Sequence, residues 1–292
     1  MAPLPLTATL VALASFAVLF ADVARTLVSD WATDDNFSHG FLVVPLALYF
    51  AWERRAAFRR AAPGSSWLGL VVVLGSLALL TVGRLGAEFF LTRVALIGTI
   101  AGAILFVFGW ARLRVMLYPI AFLILMVPIP QLIFNQIAFP LQLLASDVGA
   151  GGLKAVGVPV LREGNVMMLA HTTLEVAEAC SGIRSLVSLL TLGVVYGYFM
   201  DSRSWVRWAL TLATVPIAVV TNGLRVAGTG VAAHYYGAEA AEGFMHSFSG
   251  WLVFVAAFAL LVVVREVIVR LVPERPVALA VTPQLEGVSR GF

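Results

Sequence analysis

The chain holds one cysteine, Cys180, in the stretch Glu175-Val-Ala-Glu178-Ala-Cys180-Ser181-Gly182-Ile-Arg184-Ser185. It stands where a polar segment gives way to a long apolar one. A solitary thiol forms no intramolecular disulfide, so it is packing filler, a metal ligand or a nucleophile. Most buried cysteines are small hydrophobes, but the neighbours here are two carboxylates, a serine, a glycine and an arginine. If Cys180 opens a helix, the positive end of the helix dipole favours an anion there. Arg184, four residues on, then lies one turn away on the same face. Both effects favour thiolate, the reactive form. Zinc is disfavoured, because no second cysteine and no histidine pair at helical spacing supports it. Thiol–disulfide exchange is disfavoured because no resolving cysteine is present.

A cysteine nucleophile needs a base that is distant in sequence and near in space. Of the four histidines, His246, in Glu242-Gly-Phe-Met-His246-Ser247-Phe-Ser249-Gly250, is best placed, just before the last apolar run. His39, in Asn36-Phe-Ser38-His39-Gly40, is second. His171 lies in a probable hairpin and His234 among apolar and aromatic residues. Arg225 follows Thr221-Asn222-Gly223 inside an apolar stretch, where an arginine is costly unless it is paired or faces water. One reading is a structural ion pair with Glu175, Glu178 or Glu242. The other is a clamp for a carboxylate or a developing oxyanion, which a guanidinium suits by shape. The pattern leaves both open. Arg184 shares the ambiguity and leans towards a supporting role.

The elements that must position these residues cross a membrane. Of 292 residues, 61% are hydrophobic and 12% charged, with a mean hydropathy of +0.96. Soluble domains carry about 25% charged residues. A net charge of +3 gives no nucleic-acid signal. The apolar runs do not alternate in polarity, which predicts helices and not barrel strands. The expected fold is an all-α polytopic membrane protein of about eight helices, roughly 4–24, 40–52, 67–83, 90–110, 113–128, 182–200, 205–236 and 248–269. The first run reads as an uncleaved helix. The second is short and contains Pro45. The seventh is expected to be interrupted at Thr221-Asn222-Gly223.

Between the fifth and sixth helices lies a long non-spanning region. It comprises an amphipathic interfacial stretch from Gln131 to Leu144, a run of glycines at 149, 151, 152 and 157, and a hairpin turning at Gly164-Asn165. Residues 1–271 form one membrane domain, and 272–292 read as a disordered tail. Basic clusters at Arg54/Arg55, Arg59/Arg60, Arg112/Arg114, Arg203/Arg207 and Arg265/Arg270 mark the cytoplasmic side, with both termini there. That topology puts Cys180, Arg225 and His246 together near the outer face.

At these positions the chain resembles the exosortase family, membrane-embedded cysteine transpeptidases related to archaeosortases. The matching stretches are Ala179-Cys180-Ser181-Gly182-Ile183-Arg184-Ser185, Asn222-Gly223-Leu224-Arg225 and His246. Ser38-His39-Gly40-Phe41 and Val127-Pro128-Ile129-Pro130 add to them. The resemblance covers roughly residues 30–270. It implies Cys180 as nucleophile, Arg225 as transition-state or substrate clamp and His246 as general base, with Arg184, Asn222, Ser181, Glu178 and His39 supporting. It implies no cofactor or metal. The implied substrates are secreted proteins with a C-terminal Pro-Glu-Pro motif, a transmembrane helix and a basic tail. The implied setting is a bacterial inner membrane, with the active site facing the periplasm and lipid as its surroundings. The rival readings are a transporter, suggested by a broken seventh helix beside a charge, and a scaffold for exopolysaccharide export without chemistry. The sequence carries no signal of oligomeric state.

Overall fold

The computed structural model describes residues 6–170, 172–176, 183–237 and 244–272, with backbone alone for 244–248. Nine α-helices occur among them: α1 (Leu6–Thr33), α2 (Gly40–Glu53), α3 (Arg55–Arg60), α4 (Trp67–Leu85), α5 (Phe89–Phe122), α6 (Gln131–Ala155), α7 (Ile183–Met200), α8 (Ser204–Tyr236) and α9 (Phe244–Leu271). A 3-10 turn, Leu123–Met126, extends α5. Six of these helical segments are long and apolar enough to cross a membrane. The protein is an all-α polytopic membrane protein. The apolar helix α2, at 14 residues, is about 21 Å long and falls short of a hydrocarbon core of about 30 Å.

The segment from Phe89 to Met126 doubles back on itself. Gly109 sits inside α5 with φ 77° and ψ −179°, which is not helical. Before it, Arg93 pairs with Asp30 of α1. After it, the carbonyl of Met126 accepts from the Trp31 indole at 3.0 Å. A straight helix would separate residues 93 and 126 by about 50 Å, yet their partners are adjacent in the chain. The two limbs therefore run antiparallel, which accounts for the expected pair of helices 90–110 and 113–128. An added Cβ at Gly109 would stand 2.9 Å from the carbonyl carbon of Gly64, so backbone packing as well as φ demands glycine.

The first helix runs further than the expected 4–24. Arg25 and Asp30, expected in a loop, lie in its last turns. Asp22 pairs with Arg25 across one turn, Asp30 meets the buried Arg93, and Trp31 is buried against the second limb of α5. With partners for its polar groups, the helix continues to Thr33.

Two further expectations are corrected, and both corrections involve glycine. The helix expected from Gln131 to Leu144 does not stop at the glycine run: residues 131–155 are one helix, α6, which takes in Gly149, Gly151 and Gly152. Helix α8 is continuous through Thr221-Asn222-Gly223. Thr221 Oγ1 donates back to the Ile217 carbonyl at 2.8 Å, and Asn222 is buried. Gly223 faces Val148, whose Cγ1 would lie 2.4 Å from an added Cβ. Gly149 and Gly152 in turn receive Val226 and Ala227. Small residues here let two helix backbones approach closely; they do not break either helix.

The expected hairpin forms, with β1 (Val160–Glu163) antiparallel to β2 (Val166–Leu169) and Gly164 at φ 64° in the turn. A third strand, β3 (Thr173–Glu175), pairs with β2, giving the order β1-β2-β3. Met167, Leu169 and Val176 join Leu153 and Val226 in a core that fixes the sheet on α6 and α8. A second core holds α1, α2 and the limbs of α5, and a third holds α7, α8 and α9. The last two cores meet where Phe50 of α2 packs on Tyr198 of α7, ring centroids 4.5 Å apart.

Overpacking a tight helix contact costs about 1–3 kcal/mol. Gly223→Leu is expected to lower the unfolding temperature of the purified protein in detergent, and Val148→Ala is expected to restore part of the loss. Gly109→Ala is expected to destabilise by about 1–3 kcal/mol, the usual cost of a side chain in a backbone region reserved for glycine. The control is Gly75→Ala, where an added methyl meets open space.

Candidate active site

A cavity of about 650 Å³ lies between α2, α7, α8 and α9. Three of the sequence-selected residues line it, His39, Arg184 and Arg225, each from a different element. Its mouth is polar, with Ser38, Ser185 and Ser188 beside those three. Leu42, Leu46, Leu192, Val195 and Phe254 contribute an apolar wall. Helix spacing explains the gradient: Leu46 is seven residues along from His39, and Val195 eleven along from Arg184, or about 10 and 16 Å along their helices.

Arg225 is half-buried in α8, one turn beyond Asn222. Its Nε donates to Ser249 Oγ of α9 at 3.2 Å. That bond fixes the guanidinium against the α9 backbone, close enough that an added Cβ at Gly250 would lie 3.5 Å from its terminal nitrogen. Asn222, 1% exposed, is packed in the helix interface behind the cavity. The expected carboxylate partners Glu178 and Glu242 lie outside the described residues. Glu175 sits in β3 and accepts from Asn165 at 3.4 Å.

Arg184 opens α7. It donates to Asp35 at 3.2 Å and to Asn36 at 3.3 Å. These contacts tie the start of α7 to the loop before α2, closing the cavity on that side. Asp35 is 78% exposed, so the pair contributes little stability by itself; its effect is to position. The arginine and the loop together set the cavity mouth.

His39 is the residue just before α2 and is 9% exposed. Its Nε2 donates to the Leu125 carbonyl at 2.9 Å. A carbonyl only accepts, so the proton is on Nε2 and the neutral ring carries its lone pair on Nδ1. Burial pushes its pKa down, against the opposing effect of the Leu125 and Asn36 backbones. The ring therefore stays neutral near pH 7 and links α2 to the second limb of α5.

Cys180, Ser181 and Glu178 lie outside the described residues, as does the side chain of His246. The backbone of His246 belongs to the first turn of α9. Position 246 precedes Ser249, which meets Arg225, by three residues. Cys180 precedes Ile183, the first described residue of α7, by three positions.

Two cavity features were not singled out from sequence. Ser185, Ser188 and Thr191 form a polar stripe at three-residue spacing down α7, a signal readable in principle from hydroxyls recurring in an apolar run. The placement of Trp251 and Phe254 on the cavity wall had no such signal, because aromatic residues in a spanning helix face lipid as often as protein.

The lining brings two guanidiniums and one neutral imidazole to the polar end of an apolar slot, with no carboxylate lining it among the described residues. Such a site attracts an anionic group at the mouth and accepts an apolar segment behind it. Residues 31–263, most of the chain, match the family model for transmembrane exosortase (Exosortase_EpsH). No curated protein and no solved structure matches the chain. The chain belongs to the transmembrane exosortase family.

Proposed function

We propose that this protein is a cysteine protease-transpeptidase that cleaves C-terminal sorting signals of secreted proteins at the outer face of a bacterial inner membrane. The observation that carries the reading is the cavity, which gathers Arg225, Arg184 and His39 at the polar end of an apolar slot. A sorting signal of the family type has the matching order: an acidic motif, then a transmembrane helix. Its glutamate meets the guanidiniums while the start of its helix lies along the apolar wall. Family membership supports a cysteine nucleophile. So does chain connectivity, since the three residue steps from Cys180 to Ile183 reach at most about 11 Å.

In this mechanism His246 takes the thiol proton and Cys180 Sγ attacks the scissile carbonyl. Arg225 stabilises the oxyanion or grips the motif's carboxylate. Collapse of the tetrahedral intermediate breaks the C–N bond, and the imidazolium returns a proton to the leaving amine. The thioester left on Cys180 is resolved by water or by an amine acceptor. Asn222 packs the helix that carries Arg225, and Arg184 holds the mouth. Ser181, Glu178 and His39 shape the surroundings of the nucleophile. Both termini face the cytoplasm. The transporter reading loses its motive, because α8 is unbroken.

The test is processing of a secreted reporter bearing a Pro-Glu-Pro signal, a transmembrane helix and a basic tail, co-expressed with each variant at matched membrane levels. Cys180→Ala is expected to leave only uncleaved reporter; normal processing by it would end the catalytic assignment. Arg225→Ala is expected to slow cleavage by about 10²–10³, the cost of losing an oxyanion donor. His246→Ala is expected to slow it by about 10²–10⁴, the range for a general base. Arg184→Ala and His39→Gln act through position, so each is expected to cost about tenfold or less.

A further inference from the structure

A second cleft, of about 480 Å³, opens at the opposite end of α7, α8 and α9. It is lined by Arg203, Arg207 and Arg265 around Asp201, the one carboxylate among its described lining residues, with Phe199 and Val269 as apolar walls. Along α8, Arg207 is 18 residues from Arg225, about 27 Å of helix. That is close to the thickness of a hydrocarbon core. If the first cavity opens at one membrane surface, this cleft lies at headgroup depth on the other. Trp205 and Trp208, 48% and 68% exposed, flank it, as tryptophans do at a lipid–water boundary.

The three guanidiniums are committed differently. Arg203 grips both carboxylate oxygens of Asp201, at 2.9 and 2.7 Å, and also meets the Val272 carbonyl. Hydrogen bonding from Arg203 holds the Asp201 carboxyl below the ordinary range, so Asp201 is charged and spent on Arg203. Arg265 donates to Glu266 at 2.7 Å and to the Met200 carbonyl at 2.9 Å. Arg207 is held only by its inner nitrogen, which donates to the Asp201 carbonyl at 2.7 Å, and by the Tyr198 ring 4.9 Å beneath it. Its two terminal nitrogens have no acceptor among the described residues. A guanidinium fixed at its base, with its fork open towards the cleft, has the geometry of a bidentate oxyanion site.

We propose that this cleft binds the phosphodiester of an anionic phospholipid, with Arg207 supplying the charge and the fork, the Arg203–Asp201 and Arg265–Glu266 pairs framing it, and Phe199 and Val269 the wall for an acyl chain. A lipid fits better than a soluble anion because the cleft pairs guanidiniums with apolar walls at the end of membrane-spanning helices. Basic pockets between such helices are suited to anionic headgroups.

The full-length protein is placed in nanodiscs of phosphatidylcholine, with or without phosphatidylglycerol. Unfolding temperature is followed, and retained lipid is counted by native mass spectrometry. Phosphatidylglycerol is expected to raise the unfolding temperature and to remain bound to the released protein. Arg207→Gln is expected to weaken that binding about five- to tenfold, the effect of losing one charged hydrogen-bond donor. Arg59→Gln, at an exposed arginine of α3, is expected to leave it unchanged. Arg207→Lys keeps the charge without the fork and is expected to lose part of the effect, so the test stands even if Arg207→Gln folds poorly. Full retention of the phosphatidylglycerol effect by the Arg207 variants would overturn the proposal. An equal rise from inorganic phosphate in phosphatidylcholine discs would assign the site to a soluble anion and overturn the lipid.

Discussion

The close approach of α6 and α8 is the contact on which the rest of the molecule depends. Gly149 and Gly152 on one helix and Gly223 on the other leave no room for a β-carbon. Two helices packed this closely gain dispersion contacts along their length, which replaces the hydrophobic drive that lipid cannot supply. The same contact keeps α8 straight past Asn222, so Arg225 leaves the helix at a defined height and angle. It also anchors the small sheet, whose buried Met167 and Val176 pack into the core that α6 and α8 share. The chain from that sheet leads directly to Cys180.

Around this pair the helices form two bodies with a slot between them. The first is α1, α2, α4 and the two limbs of α5; the second is α7, α8 and α9. They join at two levels. At one end Phe50, Tyr118 and Tyr198 stack together, with Arg54 over the Tyr118 ring at 5.0 Å. At the other end Arg184 reaches Asp35 and Asn36, and Phe37 packs on Phe134. The slot left between the joints is the cavity that holds His39 and Arg225. A site between two bodies can admit a substrate segment from the side without unfolding either body.

Charge is distributed to suit such a slot. Arg93, 4% exposed, is neutralised by Asp30 and so acts as structure. Arg225 is instead held by a neutral hydroxyl, Ser249. That bond orients the Arg225 guanidinium at the cavity wall.

Much was readable from the sequence. Composition and unbroken apolar runs specify membrane helices, since about 20 consecutive apolar residues have few other uses. Gly164-Asn165 specifies its turn, because that φ favours glycine. The Cys180, Arg225 and His246 stretches specify the family, and the runs of arginine favour an orientation. What the sequence left open were contacts between residues far apart in the chain. The glycines of α6 and the Thr221-Asn222-Gly223 stretch are read locally as loop and break. Only a partner helix at close range shows them to be interface, because a glycine's backbone freedom and its lack of bulk look identical in one dimension. His39 and Arg184, candidates from sequence, are held at the cavity by Leu125 and Asp35, 86 and 149 positions distant, contacts that no local pattern shows. Local pattern determined that the chain is built of membrane helices and which residue types could react. Tertiary packing alone decided which of those residues share a cavity, because that depends on distances the chain sets only after it has folded.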